Sequence, residues 1–119
     1  MTETLDIKIT KTKHSRLNET DFDNLPFGKI FTDHMFVADY ADGEWKNLQV
    51  VPYGDISFSP AISSLHYGQS FFEGIKAYKH ADGQISVFRP DKNAVRFNKS
   101  AERLCMPTLP EEIRLSFAC

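Results

Sequence analysis

Leu65-His-Tyr-Gly-Gln-Ser-Phe-Phe-Glu-Gly-Ile-Lys-Ala-Tyr78 is the stretch around which the rest of this chain is organised. Four aromatic rings, one histidine, two glycines and one carboxylate fall within fourteen positions. Gly68 and Gly74 offer backbone freedom where other residues would be strained. Tyr67 and Phe72 supply large, rigid walls. Two readings suit that mixture: the rim of a pocket, or ordinary aromatic packing around a bulge. The residues by themselves leave both open.

Downstream, Gly74 to Lys79 reads as a strand, His80-Ala-Asp-Gly83 as a turn, and Gln84 to Arg89 as the returning strand. That hairpin would carry Ile75, Ala77, Ile85 and Val87 on one face and Tyr78 and Phe88 on the other. Pro90-Asp91 opens a helix. Ala94, Phe97, Ala101 and Leu104 recur at spacings of three and four, which makes one apolar stripe. Lys92, Arg96, Lys99 and Arg103 form a basic stripe, which on most helices is simply a solvated face. Pro107 ends the helix, and Thr108-Leu-Pro-Glu-Glu112 is a candidate start for another.

Upstream, Lys29 to Tyr40 has the β-branched and aromatic content of a strand. Asp42-Gly43 signals a hairpin, and a returning strand covers Glu44 to Tyr53. Ser59-Pro60 reads as a helix cap followed by proline at the first helical position, and the short helix it opens should end before Tyr67. Leu5, Ile7 and Ile9 alternate as one more strand, and Lys11 to Asn24 should loop over the surface. No repeat, low-complexity tract or linker divides the chain, so one domain over residues 1–119 is expected, with residues 1–24 in part extended.

Length and composition fit a globular chain: 119 residues, 41% hydrophobic and 25% charged. A formal net charge of -2 offers no pull toward nucleic acid or anionic membrane. No apolar run approaches the ~18 residues a membrane span needs. The first residues lack a basic region followed by an apolar block, so a signal peptide is not expected. Two cysteines, Cys105 and Cys119, define no disulfide framework, and reduced thiols in a cytoplasm are the default expectation. His14, His34, His66 and His80 show no metal-ligand spacing with them, so no metal site is expected. Gly68-Gln-Ser-Phe-Phe72 lacks the closing glycine of a nucleophile elbow, and there is no glycine-rich phosphate loop.

Three segments together resemble the N-terminal domain of a branched-chain amino-acid aminotransferase, a fold-type IV enzyme that uses pyridoxal 5'-phosphate. They are Phe27-Gly-Lys-Ile-Phe-Thr-Asp-His-Met35, the Leu65–Tyr78 stretch, and Phe88 to Pro107. D-amino-acid transaminases and aminodeoxychorismate lyases share a similar tyrosine-glycine stretch, but the first segment points to the branched-chain group. The resemblance implies an α+β fold, an antiparallel sheet with helices packed on one side. It implies transfer of the amino group of Leu, Ile or Val to 2-oxoglutarate. It also implies a homodimer, and a C-terminal catalytic domain as partner.

Residue by residue, the resemblance assigns Phe27 and Phe72 to the walls of the substrate pocket. Tyr67 matches a tyrosine that reaches the pocket of the neighbouring subunit. The arginine eight positions after the Phe-Arg start of the third motif holds the cofactor phosphate; Phe88 makes that Arg96. A planar guanidinium suits a phosphate because it gives two parallel hydrogen bonds. Transamination needs a lysine amine that holds the cofactor aldehyde and moves a proton. In the family that lysine lies in the second domain, so no catalytic residue is expected in this chain, and by itself it should be inactive. Lys76 and Lys79 are not expected to substitute, Glu73 is read as support for the turn at Gly74, and Arg89 and Arg103 are read as structural. A freestanding interaction module on the same scaffold is the alternative from a different class.

Overall fold

The computed structural model describes residues 6–110 and Ile113. The fold is α+β, as expected. Its residues gather into two compact units, Met1–Ser57 and Phe58–Cys119. No change in composition marks that boundary in the sequence.

The first unit is a three-stranded sheet of β1 (Lys8–Ile9), β2 (His34–Ala41) and β3 (Glu44–Pro52), in the order β1-β3-β2. β2 and β3 form the expected hairpin. Asp42 and Gly43 both have positive φ, 56° and 85°, the backbone a tight two-residue turn between twisted strands requires. Tyr40 meets its cross-strand partner Trp45 edge-on at 5.3 Å. Between the Val37–Gln49 and Asp39–Lys46 pairs, β3 gains one residue over β2. Asn47, at φ 54°, sits in this bulge and donates to Asp39 Oδ2 at 2.9 Å. β1 joins β3 in parallel, so this sheet is mixed. Of the expected Leu5, Ile7 and Ile9 alternation only Ile9 lies in β1; Ile7 precedes the strand and Leu5 falls outside the described residues.

The expected strand from Lys29 starts only at His34. Arg16 explains the delay. Its Nη2 donates to the carbonyls of Phe31 and Thr32 at 3.1 and 2.9 Å, so those groups have a side-chain partner instead of a strand. Lys11 to Asn24 is irregular except for a short 3₁₀ turn at Leu17–Glu19.

The second unit holds α1 (Ser63–Tyr67), the hairpin β4 (Ala77–Lys79) and β5 (Ile85–Val87), and α2 (Pro90–Arg103). Ser59-Pro60 does not open α1. The Ser59 carbonyl accepts from Ile62 N at 3.1 Å and its hydroxyl accepts from Ala61 N at 3.2 Å, which closes a separate turn. α1 then runs through Tyr67 rather than stopping short of it, and ends at Gly68, whose φ of 62° is left-handed. β4 and β5 are shorter than expected: Ala77, Ile85 and Val87 share one face as anticipated, but Lys79 joins them there and Ile75 lies ahead of β4. Arg89 turns the chain into α2 with φ 47°, too far from extended backbone to continue β5.

α2 matches its predicted start and its stripe. Ala101 is fully buried, and Ala94, Phe97 and Leu104 are half-buried. It ends ahead of Pro107 in a two-bond cap: Met106 N donates to the Ala101 carbonyl and Cys105 N to that of Glu102. Asn98 clamps the chain beyond. Its amide donates to the Leu109 carbonyl and accepts from Leu109 N, both at 2.9 Å, as a neighbouring strand would. Of the candidate helix after Thr108, Glu111 and Glu112 lie outside the described residues; Ile113 is helical and buried.

The segment from Gln69 to Glu73 lies along α2 with every second side chain turned toward it. Gln69 donates to the Leu104 carbonyl at 2.8 Å. Phe71 packs on Phe97 with ring centroids 4.6 Å apart. Glu73 reaches Arg96. Ser70 and Phe72, between them, are exposed. This period of two is that of extended backbone. Phe71→Ala should therefore destabilise the chain by about 2–3 kcal/mol, below the full cost of emptying a core because the ring is half-buried. Phe72→Ala should stay within about 0.5 kcal/mol. Urea unfolding of the two variants measures both, and equal losses would contradict the alternation.

Candidate functional site

Glu73 and α2 form the best-built polar cluster of the second unit. The Glu73 carboxylate accepts from Arg96 Nε at 2.8 Å and from Arg96 Nη2 beside it, a side-on fork. Asn93, one turn earlier on α2, donates to Glu73 Oε1 at 3.1 Å and to the Gly74 carbonyl at 2.8 Å. The two partners differ in exposure: the Glu73 side chain is 14% accessible, the Arg96 side chain 64%. The carboxylate is thus the fixed half, and the guanidinium reaches outward from it.

Hydrogen bonding from Arg96 holds the Glu73 carboxyl below the usual glutamate range, against a smaller opposing push from desolvation, with Asn93 adding to the pull. Glu73 in turn raises the Arg96 guanidinium above its ordinary value.

Arg96 lines an open concavity of about 550 Å³ with Lys99, Ser100, Glu102 and Arg103. Three cations and a hydroxyl stand against two carboxylates, Glu102 in the lining and Glu73 on Arg96, which leaves a net positive charge suited to an anion. Neither Tyr67 nor Phe72 lines it; their side chains stand in solvent, 87% and 91% exposed. Phe27 lies in the first unit and is fully exposed. The structure therefore joins Arg96 to Glu73 and Asn93, and leaves the three rings as free surface. Lys79 is exposed, as is Lys76, whose ammonium lies 5.4 Å from the centre of the Tyr78 ring. Asn93 received no role from the sequence. The signal was available: Asn93 and Arg96 are three apart, on one helix face.

A second concavity of about 320 Å³ lies beside this cluster, lined by Glu73, Ile75, Pro90, Asn93, Ala94, Phe97 and Leu109. Among the described residues no group of His, Cys, Asp and Glu is arranged to hold a metal ion, and no helix is long and apolar enough to cross a membrane.

The chain as a whole has close relatives in sequence. The chain is 52% identical over 98 residues to the branched-chain-amino-acid aminotransferase of Mycolicibacterium smegmatis, a match covering 82% of this chain and 27% of that protein. It is 45% identical over 111 residues to branched-chain-amino-acid aminotransferase 2 of Bacillus subtilis, covering 92% and 30%. A probable branched-chain-amino-acid aminotransferase of Staphylococcus aureus is 54% identical over 92 residues, covering 76% and 25%. Over the stretch they share, this chain is similar to proteins named branched-chain-amino-acid aminotransferases. It spans less than a third of the length of these relatives. No family model matches it. The Glu73–Arg96 pair lies within the aminotransferase-like segment, between the aromatic stretch and the basic helix.

The lowered Glu73 pKa fixes a sign. A carboxyl with a folded-state pKa below its unfolded value, about 4.3, adds stability above that value and loses it as pH falls through the folded-state pKa. Glu73→Gln should therefore lower stability at pH 7, and the gap from the unsubstituted chain should close as the pH is taken below about 4. Urea unfolding across this range measures it; a gap independent of pH would contradict the ion pair.

Proposed function

We propose that this chain is the small N-terminal domain of a pyridoxal phosphate-dependent branched-chain amino-acid aminotransferase, with residues 1–119 acting as one domain. The observation that carries the reading is Arg96: an outward-reaching guanidinium, gripped on one edge by a fixed carboxylate, in a concavity with two more cations. That donor set suits the dianionic phosphate of the cofactor. When bound, pyridoxal phosphate supplies the electron-accepting ring aldehyde through which an amino group passes from an amino acid to an oxo acid.

This chain's own residues bind and shape. Arg96 holds the phosphate, with Lys99 and Arg103 adding positive potential. Tyr67, Phe72 and Phe27 wall the pocket for a Leu, Ile or Val side chain, since apolar faces around an otherwise charged amino acid favour aliphatic substrates. Their exposure here fits walls whose opposite side comes from elsewhere: the C-terminal catalytic domain and the second subunit of a cytoplasmic homodimer. The amine that bonds the cofactor aldehyde also comes from that domain. Lys76 and Lys79 are exposed, and a lysine becomes nucleophilic near neutral pH only when burial or a neighbouring cation lowers its pKa. The isolated chain should therefore be inactive.

Arg96→Ala and Arg103→Ala, made in a full-length aminotransferase carrying this N-terminal sequence, test the assignment. Arg96→Ala should release the cofactor on dialysis to a greater extent than Arg103→Ala, read from the cofactor absorbance of the retained protein. Equal losses would mean that the basic face acts as a whole and that Arg96 has no contact of its own.

A further inference from the structure

We propose that Glu73 is a positioning residue for the anion grip of Arg96, holding one edge of the guanidinium so that the other is presented to phosphate. The inference rests on the phosphate reading of Arg96 given above. A guanidinium carries five N–H donors on two usable edges. Glu73 occupies the Nε and Nη2 edge. The edge formed by Nη1 and the second Nη2 hydrogen has no hydrogen-bond partner among the described residues. An unrestrained arginine at this exposed place would spread over many rotamers and pay their loss on binding. Glu73 removes much of that freedom beforehand, because it is itself held. Asn93 ties its carboxylate and the next carbonyl to the helix that carries Arg96. Phe71 on Phe97 fixes the same segment two residues earlier.

The proposal carries a sign that electrostatics alone reverses. Glu73 is an anion beside an anion site, so by charge alone its removal should tighten phosphate binding. If positioning dominates, removal loosens it. The experiment is titration of the 119-residue chain with inorganic phosphate, followed through the Arg96 Nε–H resonance and by calorimetry. Glu73→Ala should weaken phosphate binding by about tenfold, the lower end of what losing an orienting partner costs at a metal site. Its Arg96 Nε–H should become rapidly exchanging while the backbone spectrum stays folded. Glu73→Gln keeps one acceptor for Nε and should fall between, and it serves as the probe if the alanine variant does not fold. Unchanged or tighter binding in the folded variants would overturn the proposal. Arg96→Ala separates the two claims. If it leaves phosphate binding intact, or if the unsubstituted chain binds no phosphate, the Arg96 reading falls and this inference with it. If Arg96→Ala abolishes binding and Glu73→Ala does not weaken it, only the positioning role falls.

Discussion

One ion pair joins the aromatic stretch to the basic helix. Glu73 sits between Phe72, which faces solvent, and Gly74, whose carbonyl is bound to Asn93. Its carboxylate meets Arg96 on a helix that packs, through Phe97, on Phe71. An exposed ion pair contributes little to stability, because water screens it and two long side chains must be ordered. This pair is asymmetric instead, with a sheltered carboxylate and an exposed guanidinium. Its consequence is geometric more than energetic. It sets the register of residues 69–73 along the helix and the direction in which Arg96 extends.

That register governs what the aromatic stretch displays. With Gln69, Phe71 and Glu73 turned to α2, Phe72 has to face outward, and α1 ends with Tyr67 exposed next to the left-handed Gly68. Among the described residues only Ala101 and Ile113 are buried, while Leu65, Ile85 and Phe88 join the exposed rings. Large exposed apolar surface is uncommon on a self-sufficient monomer and marks sites of association. In the proposed function this surface is the half of a pocket and of a domain contact that the chain contributes.

Local signals with a single steric meaning were legible in the sequence. Asp42-Gly43 demanded its turn, His80–Gly83 closed its hairpin, and Pro90 ahead of the Ala94–Leu104 stripe located the start of α2, whose end falls at Arg103, short of the expected Pro107. The errors arose where a side chain took a backbone partner away from regular structure. Arg16 captured the carbonyls of Phe31 and Thr32, and Ser59 folded back on its own turn. No propensity or periodicity encodes such captures, because the donor lies far along the chain or competes locally with the helix. At the candidate site, Arg96 was picked out by resemblance and not by pattern. The roles of Glu73 and Asn93 needed the alternation of residues 69–73, which is hidden in the sequence by aromatic rings on both of its faces.

The most direct test of the Glu73–Arg96 link is a double-mutant cycle on stability at pH 7, combining Glu73→Gln with Arg96→Gln. Groups in direct contact couple, so the double variant should lose less than the two single losses added together, and the coupling should vanish at a pH low enough to protonate Glu73. Simple additivity at pH 7 would mean that the two side chains do not hold each other, and the account of how this segment is registered on its helix would fail.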